Sequence, residues 1–170
     1  MGLAVDIGGR GEPLVLVHGL ATTRSIWRRV APRLERSRLV AALDVPGFGA
    51  SAPAGPGFEL GAVADRISAG LAHAGVPAPY DLVGHSMGGA IALTLATRHP
   101  DDVRSLVLVS PAGLRPVPGA VAEAVGAVAE LYIPLRRIGA PLAGRAWGRR
   151  LLMTGGVVDG AALAPGEVRQ

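Results

Sequence analysis

The chain has 170 residues, enough for one sizeable domain, and a formal net charge of +4. It contains no cysteine, which excludes a disulfide framework and a thiolate metal site. Every one of the 17 basic residues is an arginine, they are scattered, and aromatics make up only 4% of the chain, which argues against a nucleic-acid partner.

Met1 to Asp6 has neither a basic segment nor a long apolar core, so it does not read as a signal peptide. Leu3 to Ile7 reads as a short strand and Gly8-Gly9-Arg10-Gly11 as its turn. Pro13 leads into Leu14 to Val17, an apolar run without polar alternation, as in a strand covered on both faces. His18-Gly19-Leu20 ends that strand. Thr22 or Thr23 caps a helix from about Ser25 to Glu35, with Ile26, Trp27, Val30 and Leu34 on one face. Leu39 to Leu43 is the next strand, and Asp44 to Pro56 is a Gly/Pro-rich loop. Glu59 to Ala74 reads as a helix with Leu60, Val63, Ile67 and Leu71 on its buried stripe. Asp81 to Val83 is a strand, Met87 to Arg98 a helix stopped by Pro100, and Val103 to Ser110 a further strand. Strands alternating with helices imply right-handed crossovers and an α/β fold with a doubly wound, mostly parallel sheet flanked by helices.

After Gly113 the pattern changes. Val121 to Leu131, Ile133 to Ile138 and Ala146 to Leu152 are helix-like, separated by Pro134, Pro141 and glycines. Residues 1–114 therefore read as one region and 115–170 as another. The least interrupted apolar stretch, Leu82 to Thr97, falls short of the roughly 20 residues that span a bilayer. No membrane span and a cytoplasmic location are the expectations.

The most informative stretch is Gly84-His85-Ser86-Met87-Gly88, between an apolar strand and an alanine- and leucine-rich helix. Strand, tight turn, helix is the context in which Gly-x-Ser-x-Gly forms a nucleophile elbow. Gly84 and Gly88 lack the side chains that would keep the two backbones apart there. The helix that follows aims its first N–H groups at whatever Ser86 attacks.

With Leu14-Val15-Leu16-Val17-His18-Gly19 before it and Asp44-Val45-Pro46-Gly47-Phe48-Gly49-Ala50-Ser51 between, this elbow resembles the α/β-hydrolase superfamily. The three motifs come in that family's order, near its cap-bearing serine esterase, lipase and haloperoxidase-like branch. The resemblance covers roughly Val5 to Gly113 and implies Ser86 as nucleophile. It implies the backbone N–H groups of Leu20 and Met87 as oxyanion donors, and it implies neither a cofactor nor a metal. A serine at this position disfavours the branches with an aspartate nucleophile. The resemblance also implies that residues 115–160 begin a helical cap, and that Asp44 holds its own loop.

In the family an acid and then a histidine follow the nucleophile, each after a later strand. His99 is the histidine that follows Ser86 here, and about 11 residues of helix rise put some 16 Å between them. His18 belongs to the oxyanion segment, His73 to a helix end and His85 to the elbow itself, so none of the four is a good base. Asp101, Asp102 and Asp159 are equally poor acids. The chain reads as the amino-terminal portion of a hydrolase, truncated before the last strands. The expected function is a serine hydrolase that cleaves an ester or related acyl bond of a small molecule through an acyl-serine, impaired in this chain. The alternative is a non-catalytic hydrolase fragment or a scaffold completed by a partner. The strand Val103 to Ser110 is then an open edge through which copies can associate.

Overall fold

The structure is a computed structural model and describes residues 2–114 and 145–148. The chain divides into two compact units, residues 1–116 and 117–170. The cap expected over 115–160 lies outside the described residues except at 145–148, of which 146–148 are helical.

The first unit is built on a five-stranded sheet. Its strands are β1 (Val5–Gly9), β2 (Pro13–Val17), β3 (Leu39–Leu43), β4 (Tyr80–His85) and β5 (Val103–Val109), in the order β1-β3-β2-β4-β5. β1 runs antiparallel to β3, and every other pairing is parallel. The helices are α1 (Ala31–Leu34), α2 (Leu60–His73) and α3 (Met87–Arg98).

Alternation along the strands divides the core in two. Val15, Val17, Ala41, Leu43 and Leu82 face Val63, Ile67 and Leu71 of α2 and Ile91 and Leu95 of α3. Leu14, Leu16, Val40 and Ala42 face Trp27 and Ala31 on the other side. Helices thus cover both faces, and all five residues of β2 are buried, which is why β2 carries no polar alternation. α2 starts where Glu59 caps it, its carboxylate accepting from Gly61 N–H at 2.8 Å and Ala62 N–H at 2.6 Å.

Two local expectations need correction. Gly8 and Gly9 are not a turn but the end of β1, because antiparallel pairing with Val40 and Leu39 carries the strand two residues further. The helix expected over Ser25 to Glu35 is a 3-10 helix, Arg24–Arg29, and then one α-turn. Pro32 is the physical reason. It has no N–H for the Arg28 carbonyl and its ring crowds the preceding turn, so it is accommodated only where a new helix starts.

Candidate active site

The strand order reverses at β2. The chain leaves β2 for β3 on one side and returns to β4 on the other. In an open parallel sheet, the crevice beyond the carboxyl ends of two such strands is where ligands bind. His18-Gly19-Leu20 leaves β2 at that point, and Ser86 leaves β4 beside it.

Ser86 has φ 53° and ψ −120°, outside the helical and extended regions. Such a conformation costs on the order of 1–3 kcal/mol and persists only when its surroundings over-determine it. Here they do. Ser86 N–H donates to Val109 O at 3.0 Å, and Ser86 O accepts from Gly89 N–H at 2.8 Å and Ala112 N–H at 2.9 Å. A Cβ on Gly84 would lie 2.7 Å from Gly89 Cα, and one on Gly88 would lie 2.5 Å from Val17 O. α3 therefore abuts the ends of both β4 and β2.

A Cβ on Gly19 would lie 3.1 Å from Ser86 Cβ. The loop after β2 is thus pressed against the serine, and Leu20 is its next residue. The structure brings the segments of Ser86, Met87 and Leu20 to one edge of the sheet. Neither Leu20 N–H nor Met87 N–H has a hydrogen-bond partner among the described residues. Met87 opens α3, so its N–H has no place in the helix ladder.

Of the four histidines, His18 is fully buried. Its Nδ1 is 2.7 Å from Gly19 O and its Nε2 accepts from Val45 N–H at 2.9 Å. With both nitrogens engaged, the neutral Nδ1–H tautomer is fixed, and burial pushes its pKa below the ordinary histidine value. His99 lies at the far end of α3, where Nε2 meets Asp65 at 2.8 Å. His85 Nδ1 is buried beside Gly19, 3.2 Å from where a Gly19 Cβ would sit, and has no hydrogen-bond partner among the described residues. Among the described residues, no hydrogen bond joins the Ser86 hydroxyl to a base, and no group of three His, Asp or Glu residues is placed to hold a metal ion.

Three features of this edge were not visible in the motifs. Arg24 N–H donates to Asp44 Oδ1 at 2.8 Å, and the Arg24 guanidinium pairs with Asp44 Oδ2. His18 ties the loop after β2 to the loop after β3. Ala21 and Ser110 share with Ser86 a positive φ, 57° and 45°.

A family model for the alpha/beta hydrolase fold matches residues 12–132. The pimeloyl-[acyl-carrier protein] methyl ester esterase of Chromobacterium violaceum is 43% identical over 110 residues, 65% of this chain and 41% of that protein. The 2-hydroxymuconate semialdehyde hydrolase of Pseudomonas sp. strain CF600 is 44% identical over 110 residues, 62% of this chain and 38% of that protein. The chain thus spans about two fifths of the length of these relatives. Among solved structures, a thermophilic esterase from Thermogutta terrifontis superposes with a TM-score of 0.69 at 26% identity, covering 99% of this chain and 67% of that one.

Proposed function

Because the chain belongs to the alpha/beta hydrolase family, we propose that it contributes the nucleophile and oxyanion edge of a serine hydrolase acting on a small ester or related acyl compound. The observation that carries this reading is Ser86, held in a strained turn at the start of α3 with Gly19 against it. Ser86 Oγ attacks the acyl carbonyl carbon, the bond to the leaving alcohol breaks, and the alcohol departs with a proton. Water then attacks the acyl-serine, releasing the carboxylic acid and restoring the hydroxyl. The negative oxygen formed in each step falls to Leu20 N–H and Met87 N–H, a donor of this kind typically being worth about 3 kcal/mol of transition-state stabilisation.

A serine hydroxyl needs a base to accept its proton. His18 and His99 are committed elsewhere, and no described side chain hydrogen-bonds the Ser86 hydroxyl, so in this reading the base is supplied by a group not paired with Ser86 among the described residues. The esterase and hydrolase named above support acyl chemistry, and a small-molecule acyl substrate in the cytoplasm belongs to the same proposal. Among the described residues no helix is long and apolar enough to cross a membrane.

Labelling with a fluorophosphonate, read by intact mass, tests it. Rapid single labelling that Ser86→Ala abolishes is the expected result. Absence of labelling in folded protein would favour a non-catalytic scaffold, the second reading, which the lack of a base on the Ser86 hydroxyl among the described residues supports.

A further inference from the structure

We propose that Asp44 is a positioning residue that acts on the oxyanion loop and not only on its own loop. Together with Val45 it clamps the segment from His18 to Arg24 at both ends and so sets where Leu20 N–H points. The proposal rests on the acyl-transfer reading of Ser86.

The clamp is continuous on the page. At the start of the segment, Val45 N–H donates to His18 Nε2 at 2.9 Å, and the opposite nitrogen of that ring holds Gly19 O at 2.7 Å. Thr22 Oγ1 donates to the same carbonyl at 2.9 Å. At the end of the segment, Arg24 N–H donates to Asp44 Oδ1 at 2.8 Å, and the Arg24 guanidinium closes on Asp44 Oδ2. Two adjacent residues after β3 therefore hold both ends of a loop that leaves β2. Between these anchors Ala21 sits at φ 57°, a conformation that a non-glycine residue keeps only under constraint.

Asp44 is itself held firmly. Its carboxylate is 1% exposed and accepts from Ala50 N–H at 2.8 Å, and its carbonyl accepts from Ser51 Oγ at 2.7 Å. Ser51 Oγ in turn accepts from Ala4 N–H at 2.9 Å, and Asp44 N–H donates to Ala4 O at 2.9 Å. Backbone and carboxylate of Asp44 are thus both held before Arg24 is reached. A buried ion held this way is a fixed reference point for the half-buried loop it grips. Oxyanion donors must meet the developing charge at about 2.7–3.1 Å, so a loop that drifts loses the contact.

The test compares the full-length chain with Asp44→Asn. The variant keeps the size of the side chain, but its single amide oxygen cannot fill both the Oδ1 place, which accepts from Arg24 N–H, and the Oδ2 place, which accepts from Ala50 N–H and the Arg24 guanidinium. The fluorophosphonate labelling rate of Ser86 should fall by about 10–100-fold, below the 10²–10³ typical for complete removal of a donor. Far-UV circular dichroism and a cooperative urea transition should remain. Asp65→Asn, on α2 where it meets Arg98 and His99 at the far end of α3, should label at the parent rate. A merely structural Asp44 would leave the Leu20 and Ala21 amide resonances in place. The proposal instead expects both to shift or broaden in the ¹⁵N spectrum. Folded Asp44→Asn that labels at the parent rate with those amides unmoved overturns it. If the parent itself does not label, the acyl-transfer reading fails, and the amide resonances alone decide whether the clamp holds the loop. If Asp44→Asn does not fold, Thr22→Val decides. It removes one bond on Gly19 O and should slow labelling or move Leu20, and no change in either overturns the proposal.

Discussion

Gly88→Ala separates two opposite expectations. In an ordinary helix the change stabilises by about 1 kcal/mol, because alanine is the better helix former. Gly88 is not ordinary, because its missing Cβ is where β2 passes. A methyl group there would sit 2.5 Å from Val17 O and 2.8 Å from Val17 C, and would overlap His18 O as well. Ordinary van der Waals contact begins near 3.4 Å, so α3 would have to move outward by about 1 Å to clear the nearest of these atoms. The obstructing atoms are backbone, fixed in a strand paired on both sides, and they cannot rotate away. Overpacking of this severity belongs at the upper end of its usual range, about 3 kcal/mol. Less the helix gain, the net loss is about 2 kcal/mol, or a melting temperature lower by roughly 4–8 °C in a chain of this size. Thermal melts followed at 222 nm measure it, with Gly55→Ala, which would meet nothing within 4 Å, as the neutral control. A melting temperature for Gly88→Ala equal to or above the parent would refute the reasoning, because it would mean that α3 does not abut β2.

The other predictions concern strain, charge and the sheet edge. Ser86→Gly should abolish labelling and yet raise stability by up to about 1 kcal/mol, since glycine adopts φ 53° without steric cost; a destabilised variant would mean the turn is not strained. Arg104, Ser105 and Arg38 hold the Asp81 carboxyl well below the usual carboxylate range, so its contribution is complete above the unfolded value near 3.9 and is lost as pH falls through and below it. Asp81→Asn should therefore cost about 1–2 kcal/mol at pH 7 in urea titrations, with the gap to the parent closing as pH drops below about 4; a gap independent of pH would contradict the ion-pair account. β5 is an edge among the described residues, with Val107 50% exposed and Val109 42% exposed, so sedimentation should show concentration-dependent association that Val107→Glu weakens; a monomer at all concentrations would rule this out.

The sheet was legible because burial leaves a plain mark on sequence. β2 reads as an uninterrupted apolar run since both its faces are covered, and α2 and α3 follow from the apolar period and from Pro100. The elbow was legible because its backbone approach admits only glycine at Gly84 and Gly88, so the geometry is written in residue type. The apolar face of Ile26, Trp27, Val30 and Leu34 suggests one continuous helix after Thr23, whereas in the chain the missing N–H of Pro32 breaks it. The Arg24–Asp44 link was not legible at all. It joins residues 20 apart in sequence through a backbone N–H, which any residue but proline supplies.

The positive-φ residues point to a more general reason for the position of the site. Ala21, Ser86 and Ser110 are the non-glycine residues with positive φ among those described, and they follow β2, β4 and β5. These are three neighbouring strands whose carboxyl ends lie on one edge. The opposite edge is braced differently, by the ion pairs that join Arg38, Asp81, Arg104 and Glu12. Backbone strain is affordable at one end of a sheet only if the other end and the core fix the strands. Two of the strained residues are visibly tied down, Ser86 through Val109 and Ala112, and Ala21 through the anchors at His18 and Arg24. A turn of glycines would have relieved the strain, but it would have offered no hydroxyl and no fixed direction. The fold accepts the less stable turn at the edge where direction matters.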